Sequence, residues 1–262
     1  MLKIAVLGAG RMAREILQVI HDESQCEVSG IWARNAAGLP EALVSPDLPP
    51  VLAAADIAID FTLADATSRV IRDALIEGKP LVCGVSGLGQ RQMQEIEDAS
   101  ARIPLLYDRN MSYGIAVLTR LLQQSGDAFG SDFITEIHET HHRNKIDAPS
   151  GTALLLGETL AASRGQSFTD AYHYDPDGDG AAPANSIGFF VSREGDTPGD
   201  HSVIFRNAAE SVQLSHSIAN RRVFAEGAVK AAVWLAGRPT GRYRMLDVLG
   251  KQGKSAGASG SA

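Results

Sequence analysis

The first part of the chain takes its fold from one short stretch, Lys3-Ile4-Ala5-Val6-Leu7-Gly8-Ala9-Gly10-Arg11-Met12-Ala13. Residues 3–7 form a short, mostly apolar run that is typical of a buried strand. Residues 8–13 follow the pattern Gly-x-Gly-x-x-(Gly/Ala), and residues 14–20 have the composition of a helix. A strand, a glycine turn and a helix in this order predict a Rossmann-type α/β unit.

The glycine turn predicts a dinucleotide-binding loop, the alternative being a plain strand–helix turn. Gly8 permits the tight turn, Gly10 leaves room for a pyrophosphate at the helix N-terminus, and Ala13 still allows the helix to pack closely on the strand. The expected cofactor-binding residues here are Gly8, Ala9, Gly10, Arg11, Met12 and Ala13.

The end of the second predicted strand bears on the type of cofactor. Residues 28–32 form this strand, and Ala33, Arg34 and Asn35 follow it. An NAD-preferring site normally has an acidic residue here to bind the ribose 2′-hydroxyl, and none is present. Arg34 is placed to meet a 2′-phosphate instead, unless it is only a solvated loop charge. We expect NADPH as the preferred cofactor and NADH as a second one.

Two later strands end in polar turns that belong to the same site. Residues 57–62 and 80–85 read as buried strands, with helices at 65–77 and 90–102. Ligands of such sheets collect at the carboxyl ends of the strands. This places the turn of Gly84, Val85 and Ser86, and the segment 110–112, near the nicotinamide half of the cofactor.

The segment after residue 133 carries a dense set of polar groups. Residues 133–139 alternate apolar and polar side chains, as in a half-buried strand. His141, His142, Arg143 and Lys145 follow within five residues. Such groups bind carboxylates and move protons near neutral pH, although paired histidines at a strand end are often only surface residues.

A helix start follows at once. Pro149 disfavours helix at residue 148, Ser150 and Thr152 are good capping types, and an apolar helical run begins at residue 153. The backbone N–H groups at Ser150, Gly151 and Thr152 are expected to be unpaired, so this helix start should bind an anion such as a carboxylate. The alternative is a simple helix cap.

Composition limits the remaining classes. The chain has 262 residues, 44% hydrophobic and 21% charged, and a net charge of −7, which argues against non-specific nucleic-acid binding. No apolar stretch is long enough to predict a membrane span. The two cysteines, Cys26 and Cys83, have no metal-binding spacing and suit a reducing cytoplasm.

Residues 175–180 look like the start of a calcium loop, but Ser186 stands where a glutamate is needed, so we expect no metal.

Several motifs together resemble the bacterial dihydrodipicolinate reductase family, over nearly the whole chain. The signature E-x-H-H-x-x-K-x-D-x-P-S-G-T-A is met in full by residues 139–153. Asn-Met-Ser-Tyr-Gly at 110–114, Gly-Asp-His at 199–201 and the closing block at 243–249 also match. The chain departs from many members at Ala13, at Ala33 (often acidic in members that also use NADH) and at Val85-Ser86 (commonly Thr-Thr).

The resemblance implies a two-domain α/β fold. A Rossmann-type dinucleotide-binding domain (1–112 with 221–250) joins an α+β substrate and oligomerisation domain with an open mixed sheet (113–220), through which a homotetramer forms. A disordered tail is expected at 251–262. The resemblance makes His141 and Lys145 catalytic. It implies that the substrate is bound by His142, Ser150, Gly151 and Thr152. It also implies that the cofactor is bound by four further residues: Asp108, Arg109, Asn110 and Met111.

The implied activity is NAD(P)H-dependent reduction of the cyclic dicarboxylate 4-hydroxy-tetrahydrodipicolinate to tetrahydrodipicolinate, in diaminopimelate and lysine biosynthesis. One alternative is another NADPH-dependent imine or amino-acid dehydrogenase of the same two-domain plan, and the tandem histidines with Lys145 argue against it. A second is a non-catalytic nucleotide sensor, which would not need His141 and Lys145.

Overall fold

The computed structural model describes residues 1–34, 38–130, 132–175 and 182–250. Three features named in the sequence analysis lie outside these ranges: Asn35, residues 176–180 and the tail at 251–262. In chain order the strands are β1 (Leu2–Leu7), β2 (Cys26–Trp32), β3 (Val44–Ser45), β4 (Ile57–Asp60), β5 (Leu81–Cys83), β6 (Pro104–Tyr107), β7 (Ile134–His141), β8 (Tyr172–Tyr174), β9 (Ile187–Arg193), β10 (Asp200–Arg206), β11 (Ser211–His216) and β12 (Gly241–Tyr243). The α-helices are α1 (Arg11–Asp22), α2 (Leu48–Ala53), α3 (Ala64–Ile76), α4 (Gln90–Ser100), α5 (Tyr113–Ser125), α6 (Gly151–Ser163), α7 (Phe168–Ala171), α8 (Arg222–Leu235) and α9 (Met245–Val248).

The first sheet is parallel, with the order β3-β2-β1-β4-β5-β6-β12. The first six strands have the order of a Rossmann fold, and β12 extends the sheet by one strand. Alternate residues of β1 enter different cores: Ile4 and Val6 pack with α1 and α8, whereas Ala5 and Leu7 pack with α2 and α3. Both faces of the sheet are therefore covered by helices, as a parallel sheet requires.

The second sheet is mixed, with the order β11-β10-β7-β9-β8. Strand β10 runs antiparallel to both of its neighbours, whereas β7, β9 and β8 are parallel. One face packs on α5 and α6 in a third core that includes Ile137, Phe205, Leu122 and Leu156. The predicted Rossmann-type α/β domain and the α+β domain with an open mixed sheet are both confirmed.

The C-terminal segment returns to the first sheet. Helix α8 packs against α1. Gly227 on α8 lets this helix also approach the segment after β6, because a Cβ there would collide with the carbonyl oxygen of Met111. The domain limits at 112/113 and 220/221 stay a prediction. Among the described residues, no helix is long and apolar enough to cross a membrane.

Candidate active site

A cavity of about 220 Å³ lies where the two sheets meet. One wall comes from the carboxyl ends of β4, β5 and β6 with the start of α1, and the other from β7, the loop after it and β10. The lining residues are Met12, Phe61, Gly84, Ser86, Arg109, Asn110, Met111, His141, His142, Lys145, Thr152, Pro198, Gly199, His201, His216, Ile218, Arg221 and Phe224. This cavity thus brings together predicted cofactor residues (Met12, Gly84, Ser86, Arg109, Asn110 and Met111) and predicted catalytic and substrate residues (His141, His142, Lys145 and Thr152).

The glycine turn has the shape that a dinucleotide needs. Gly8 has φ +118°, and a Cβ there would lie 3.1 Å from the carbonyl oxygen of Phe61. A Cβ at Gly10 would meet no atom within 4 Å, so the space in front of the N-terminus of α1 is open. Ala13 is buried against the first core, Arg11 is exposed, and Met12 reaches the cavity. The loop therefore fits a pyrophosphate, which the helix N-terminus would favour.

The turn after β5 is only partly directed to the cavity. Gly84 and Ser86 line it, but Val85 is buried in the core between the sheet and α3. A Cβ at Gly84 would lie 2.4 Å from Cζ of Phe61, so only glycine leaves this ring in its place beside the turn.

Three of the four predicted cofactor residues after β6 line the cavity: Arg109, Asn110 and Met111. The Asp108 carboxylate instead accepts hydrogen bonds from the N–H groups of Arg109 (2.8 Å) and Met245 (3.1 Å), which ties the C-terminal segment to β6. Arg34 is exposed at the end of β2, outside the lining of the cavity, where an adenosine rather than a nicotinamide is expected.

His141, His142 and Lys145 all reach the cavity from the end of β7 and the loop after it. Lys145 Nζ lies 2.8 Å from both carboxylate oxygens of Asp147. Arg193 holds the backbone of this loop, because its guanidinium donates to the carbonyl oxygens of Lys145 (3.2 Å) and Asp147 (2.7 Å). The lysine is therefore presented by a loop with a defined conformation.

The predicted helix start is present, with one correction. Ser150 is the N-cap of α6, and its Oγ accepts the N–H of Ala153 at 3.1 Å. The Ser150 N–H is not free: it donates to both oxygens of the buried Glu139 carboxylate, at 3.0 and 3.2 Å. The expectation of an unpaired N–H at Ser150 is wrong, because sequence spacing could not show that a carboxylate on β7 reaches it. Gly151 and Thr152 begin the helix and have no helical acceptor for their N–H groups.

Burial sets the charge of the groups around Glu139. Burial is the largest influence on the pKa of His141 and lowers it to about 4. The charge of Glu139 opposes this effect, and His201, Lys145 and Arg193 add smaller lowering effects. The imidazole is thus neutral near pH 7 in the empty site. Burial acts to raise the pKa of Glu139, but the nearby His201 and the hydrogen bonds from Ser150 outweigh it and bring the pKa to about 2.

The possible ligand atoms of Glu139, His141 and His201 lie within 4.8 Å of one another, which is close enough for one metal ion to contact all three. The donor set does not fit a cation. Arg193 Nη1 lies 3.5 Å from Glu139 Oε1, and Ser150 N–H already occupies the carboxylate. The absence of a metal stays a prediction.

Several lining residues were not predicted. His201 contacts Ser150 Oγ at 3.2 Å, His216 contacts Ser112 Oγ at 3.1 Å, and Arg221 lies 3.3 Å from Nε2 of His142. His201 lies in the Gly-Asp-His motif at 199–201, but nothing in the local sequence around His201, His216 or Arg221 indicates a contact with residues 139–153.

A Rossmann sheet with an open glycine loop, facing a cavity of histidines and a lysine, defines a nicotinamide-dependent oxidoreductase of two domains. Family models described as dihydrodipicolinate reductase N-terminus and C-terminus match residues 2–111 and 114–249. This chain belongs to the dihydrodipicolinate reductase family.

Curated relatives agree with this assignment, and a solved structure shares the fold. The chain is 39% identical over 263 aligned positions to a 4-hydroxy-tetrahydrodipicolinate reductase of Alkalilimnicola ehrlichii, covering 95% of this chain and 98% of the relative. It is 42% identical over 253 positions to the enzyme of that name from Caulobacter vibrioides, covering 95% and 97%. A dipicolinate-bound dihydrodipicolinate reductase from Paenisporosarcina sp. TG-14 has a TM-score of 0.74 at 18% identity, covering 93% and 97% of the two chains, which shows the shared fold.

Proposed function

We propose that this chain reduces 4-hydroxy-tetrahydrodipicolinate with NADPH and a proton, giving tetrahydrodipicolinate, NADP⁺ and water, within diaminopimelate and lysine biosynthesis. The observation that carries the proposal is the single cavity shared by Gly84, Ser86 and Met111 on one wall and His141, Lys145 and Thr152 on the other. Relatives named for this reaction at 36–42% identity support it over the alternative dehydrogenase and the nucleotide sensor.

The glycine loop of residues 8–13, Arg34, residues 84–86 and residues 108–111 are proposed to hold the cofactor. The members of this set that line the cavity are Met12, Gly84, Ser86, Arg109, Asn110 and Met111. The cofactor, when bound, supplies a hydride to C4 of the cyclic substrate. Val85 and Asp108 act indirectly, through the core and through the C-terminal segment. Arg34 supports NADPH as the preferred cofactor, with NADH as a second.

Substrate carboxylates are proposed to bind to Lys145, His142 and the N-terminus of α6. Gly151 and Thr152 have N–H groups directed along the helix axis, and the helix dipole favours an anion there. Ser150 contributes by capping the helix and not through its own N–H. Arg221 is added to this set because it lines the cavity next to His142.

His141 is proposed to deliver the proton to the carbon next to C4 of the reduced ring. Because the imidazole is neutral in the empty site, it must gain its proton when the substrate arrives. Burial, with smaller effects of Lys145 and Arg193, holds the pKa of His141 low, and the negative charge of a substrate with two carboxylates favours the protonated imidazole. Lys145 stabilises the negative charge that develops on the substrate.

A homotetramer assembled through the second sheet, a cytoplasmic location and the absence of nucleic-acid and membrane partners are further proposals. The net charge of −7 supports the absence of a nucleic-acid partner, since a negatively charged protein repels a phosphate backbone. Sedimentation of the purified protein would measure the oligomeric state directly.

The test of the main proposal follows the loss of NADPH absorbance with substrate made in situ by the preceding synthase. His141→Gln and Lys145→Ala are expected to lose about 10²–10⁴-fold in turnover, with almost unchanged NADPH affinity. His138→Gln is the matched control, because His138 lies on the same strand but stacks on Phe190 (ring centroids 4.5 Å apart). No oxidation by the wild type would overturn the reductase function, and full turnover by both variants would overturn their roles.

A further inference from the structure

Glu139 occupies a central position that the proposed mechanism does not use. It lies on β7 two residues before His141, and its side chain is fully buried. Its carboxylate oxygens lie 3.7 Å from His141 Nδ1, 3.6 Å from His201 Nε2 and 3.5 Å from Arg193 Nη1. The same carboxylate accepts the N–H of Ser150. One anion therefore touches the proposed proton donor and the start of the substrate-binding helix.

The ring of His141 is oriented so that its two nitrogens have different surroundings. Nδ1 is buried and has no hydrogen-bond partner among the described residues. Nε2 lies beside Gly199, which lines the cavity, and a Cβ at Gly199 would lie 2.9 Å from it. Nδ1 thus faces the carboxylate, whereas Nε2 lies on the side where a residue without a side chain leaves access.

We propose that Glu139 is a positioning residue for the reaction: it holds His141 with Nδ1–H directed to its carboxylate and Nε2 free for the substrate, and it anchors the N-terminus of α6 through Ser150. The inference rests on the proposed role of His141. The distance of 3.7 Å is longer than a hydrogen bond, and a movement of roughly 0.7–0.9 Å closes it to the usual 2.8–3.0 Å. Such contacts commonly tighten only when the substrate is bound.

The carboxylate also favours the protonated form of His141. Burial is the largest influence against the protonated imidazole, and Lys145 on the following loop, His201 on β10 and Arg193 on β9 add to it, whereas the charge of Glu139 favours it. Without Glu139, His141 would gain its proton only at lower pH. The activity should then decline with rising pH at a lower pH than in the wild type, because the protonated imidazole is the donor.

The decisive variant is Glu139→Gln, with Glu136→Gln as the matched control. Glutamine keeps an acceptor oxygen for the Ser150 N–H and removes only the charge. Glu136 is a buried carboxylate on the same strand, but it pairs with Arg206 and His138 and not with the cavity residues. Glu139→Asp is a second variant that restores the charge at a shorter reach.

We expect Glu139→Gln to lower kcat by at least about 10-fold and to leave NADPH affinity within about 2-fold, in line with the loss of an orienting partner. Its pH profile should lose activity at lower pH than the wild type, and Glu139→Asp should recover part of both effects. Equal behaviour of Glu139→Gln and Glu136→Gln would overturn the proposal. So would loss of wild-type activity on treatment with a chelator, which would indicate a metal centre instead.

A measurement on the wild type keeps the proposal testable if Glu139→Gln does not fold. Nitrogen NMR of histidine-labelled protein reports which ring nitrogen carries the proton. The proposal requires the Nδ1–H tautomer at His141 near pH 7, and the Nε2–H tautomer would overturn it. Neither result depends on catalysis, so a failure here is distinct from a failure of the wild type to oxidise NADPH.

Discussion

Asn110 Nδ2 donates a hydrogen bond of 2.9 Å to Thr152 Oγ1. This bond joins the end of β6 in the first sheet to the first turn of α6, which packs on the second sheet. The Oδ1 atom of Asn110 accepts the N–H of Ser112 at 2.7 Å, so the amide cannot rotate without losing both partners. This side chain therefore links the wall that carries the proposed cofactor residues to the wall that carries the proposed substrate residues.

A double-mutant cycle of Asn110→Ala and Thr152→Val tests this connection. We expect a coupling of about 1 kcal/mol in the free energy of unfolding, because a part-buried hydrogen bond contributes about that much. The ion pair of Arg109 and Glu158 (2.9 Å) bridges the same two elements but is exposed, so its coupling should be about 0–0.5 kcal/mol. Equal couplings in the two cycles would contradict this ranking.

Gly10→Ala and Gly8→Ala separate cofactor binding from stability. A Cβ at Gly10 would meet no other atom, so the Gly10→Ala variant should fold as well as the wild type. It should bind NADPH at least about 10-fold more weakly, because the methyl group fills the space for the pyrophosphate. Gly8 has φ +118°, so alanine there should cost about 1–3 kcal/mol of stability as well. Thermal unfolding and NADPH titration measure the two effects, and normal NADPH binding by Gly10→Ala would exclude the proposed cradle.

Arg34→Ala tests the cofactor preference. A charge-assisted hydrogen bond is worth about 1.5–3 kcal/mol, so KM for NADPH should rise about 10-fold or more while KM for NADH hardly changes. Arg91→Ala, which removes an exposed arginine paired with Glu95 on α4, is the control and should change neither value. An equal rise for both cofactors would show that Arg34 does not recognise the 2′-phosphate.

Binding of a dicarboxylate is expected to take up protons. Burial holds the pKa of His141 near 4, and a dianionic ligand raises it, so the complex binds more protons than the free protein at pH 6–7. Affinity for dipicolinate should therefore increase as the pH falls. Calorimetry in buffers of different ionisation enthalpy measures the uptake, which His141→Gln should lose and His138→Gln should keep. Proton release on binding would exclude this account of the donor.

Much of the first sheet could be predicted from short stretches of sequence. The strands at 28–32, 57–62 and 80–85 correspond to β2, β4 and β5, and the helices at 65–77 and 90–102 to α3 and α4, with ends that differ by a few residues. The predicted strand at 133–139 is β7, which extends to His141. These elements are readable because apolar periodicity, glycine turns and helix caps are local properties.

The site was less readable where it depends on distant residues. Four residues that were predicted as site residues line the cavity: His141, His142, Lys145 and Thr152. The prediction misjudged the Ser150 N–H, because Glu139 reaches that group from eleven positions earlier in the chain. It missed His201 and Arg221, which enter the cavity from β10 and from the segment before α8.

The amino-acid sequence was sufficient to predict the glycine loop, the helix start at residue 150 and the family. The loop, the helix start and the family signature at 139–153 each lie within about twenty positions of chain, where backbone sterics and periodicity act directly. The tertiary structure alone decided that residues 84 and 110 lie opposite residues 141 and 152, and that Glu139 is buried beside His141. Such contacts are set by the order of strands in two sheets and by burial, which lowers or raises a pKa only once the chain has folded.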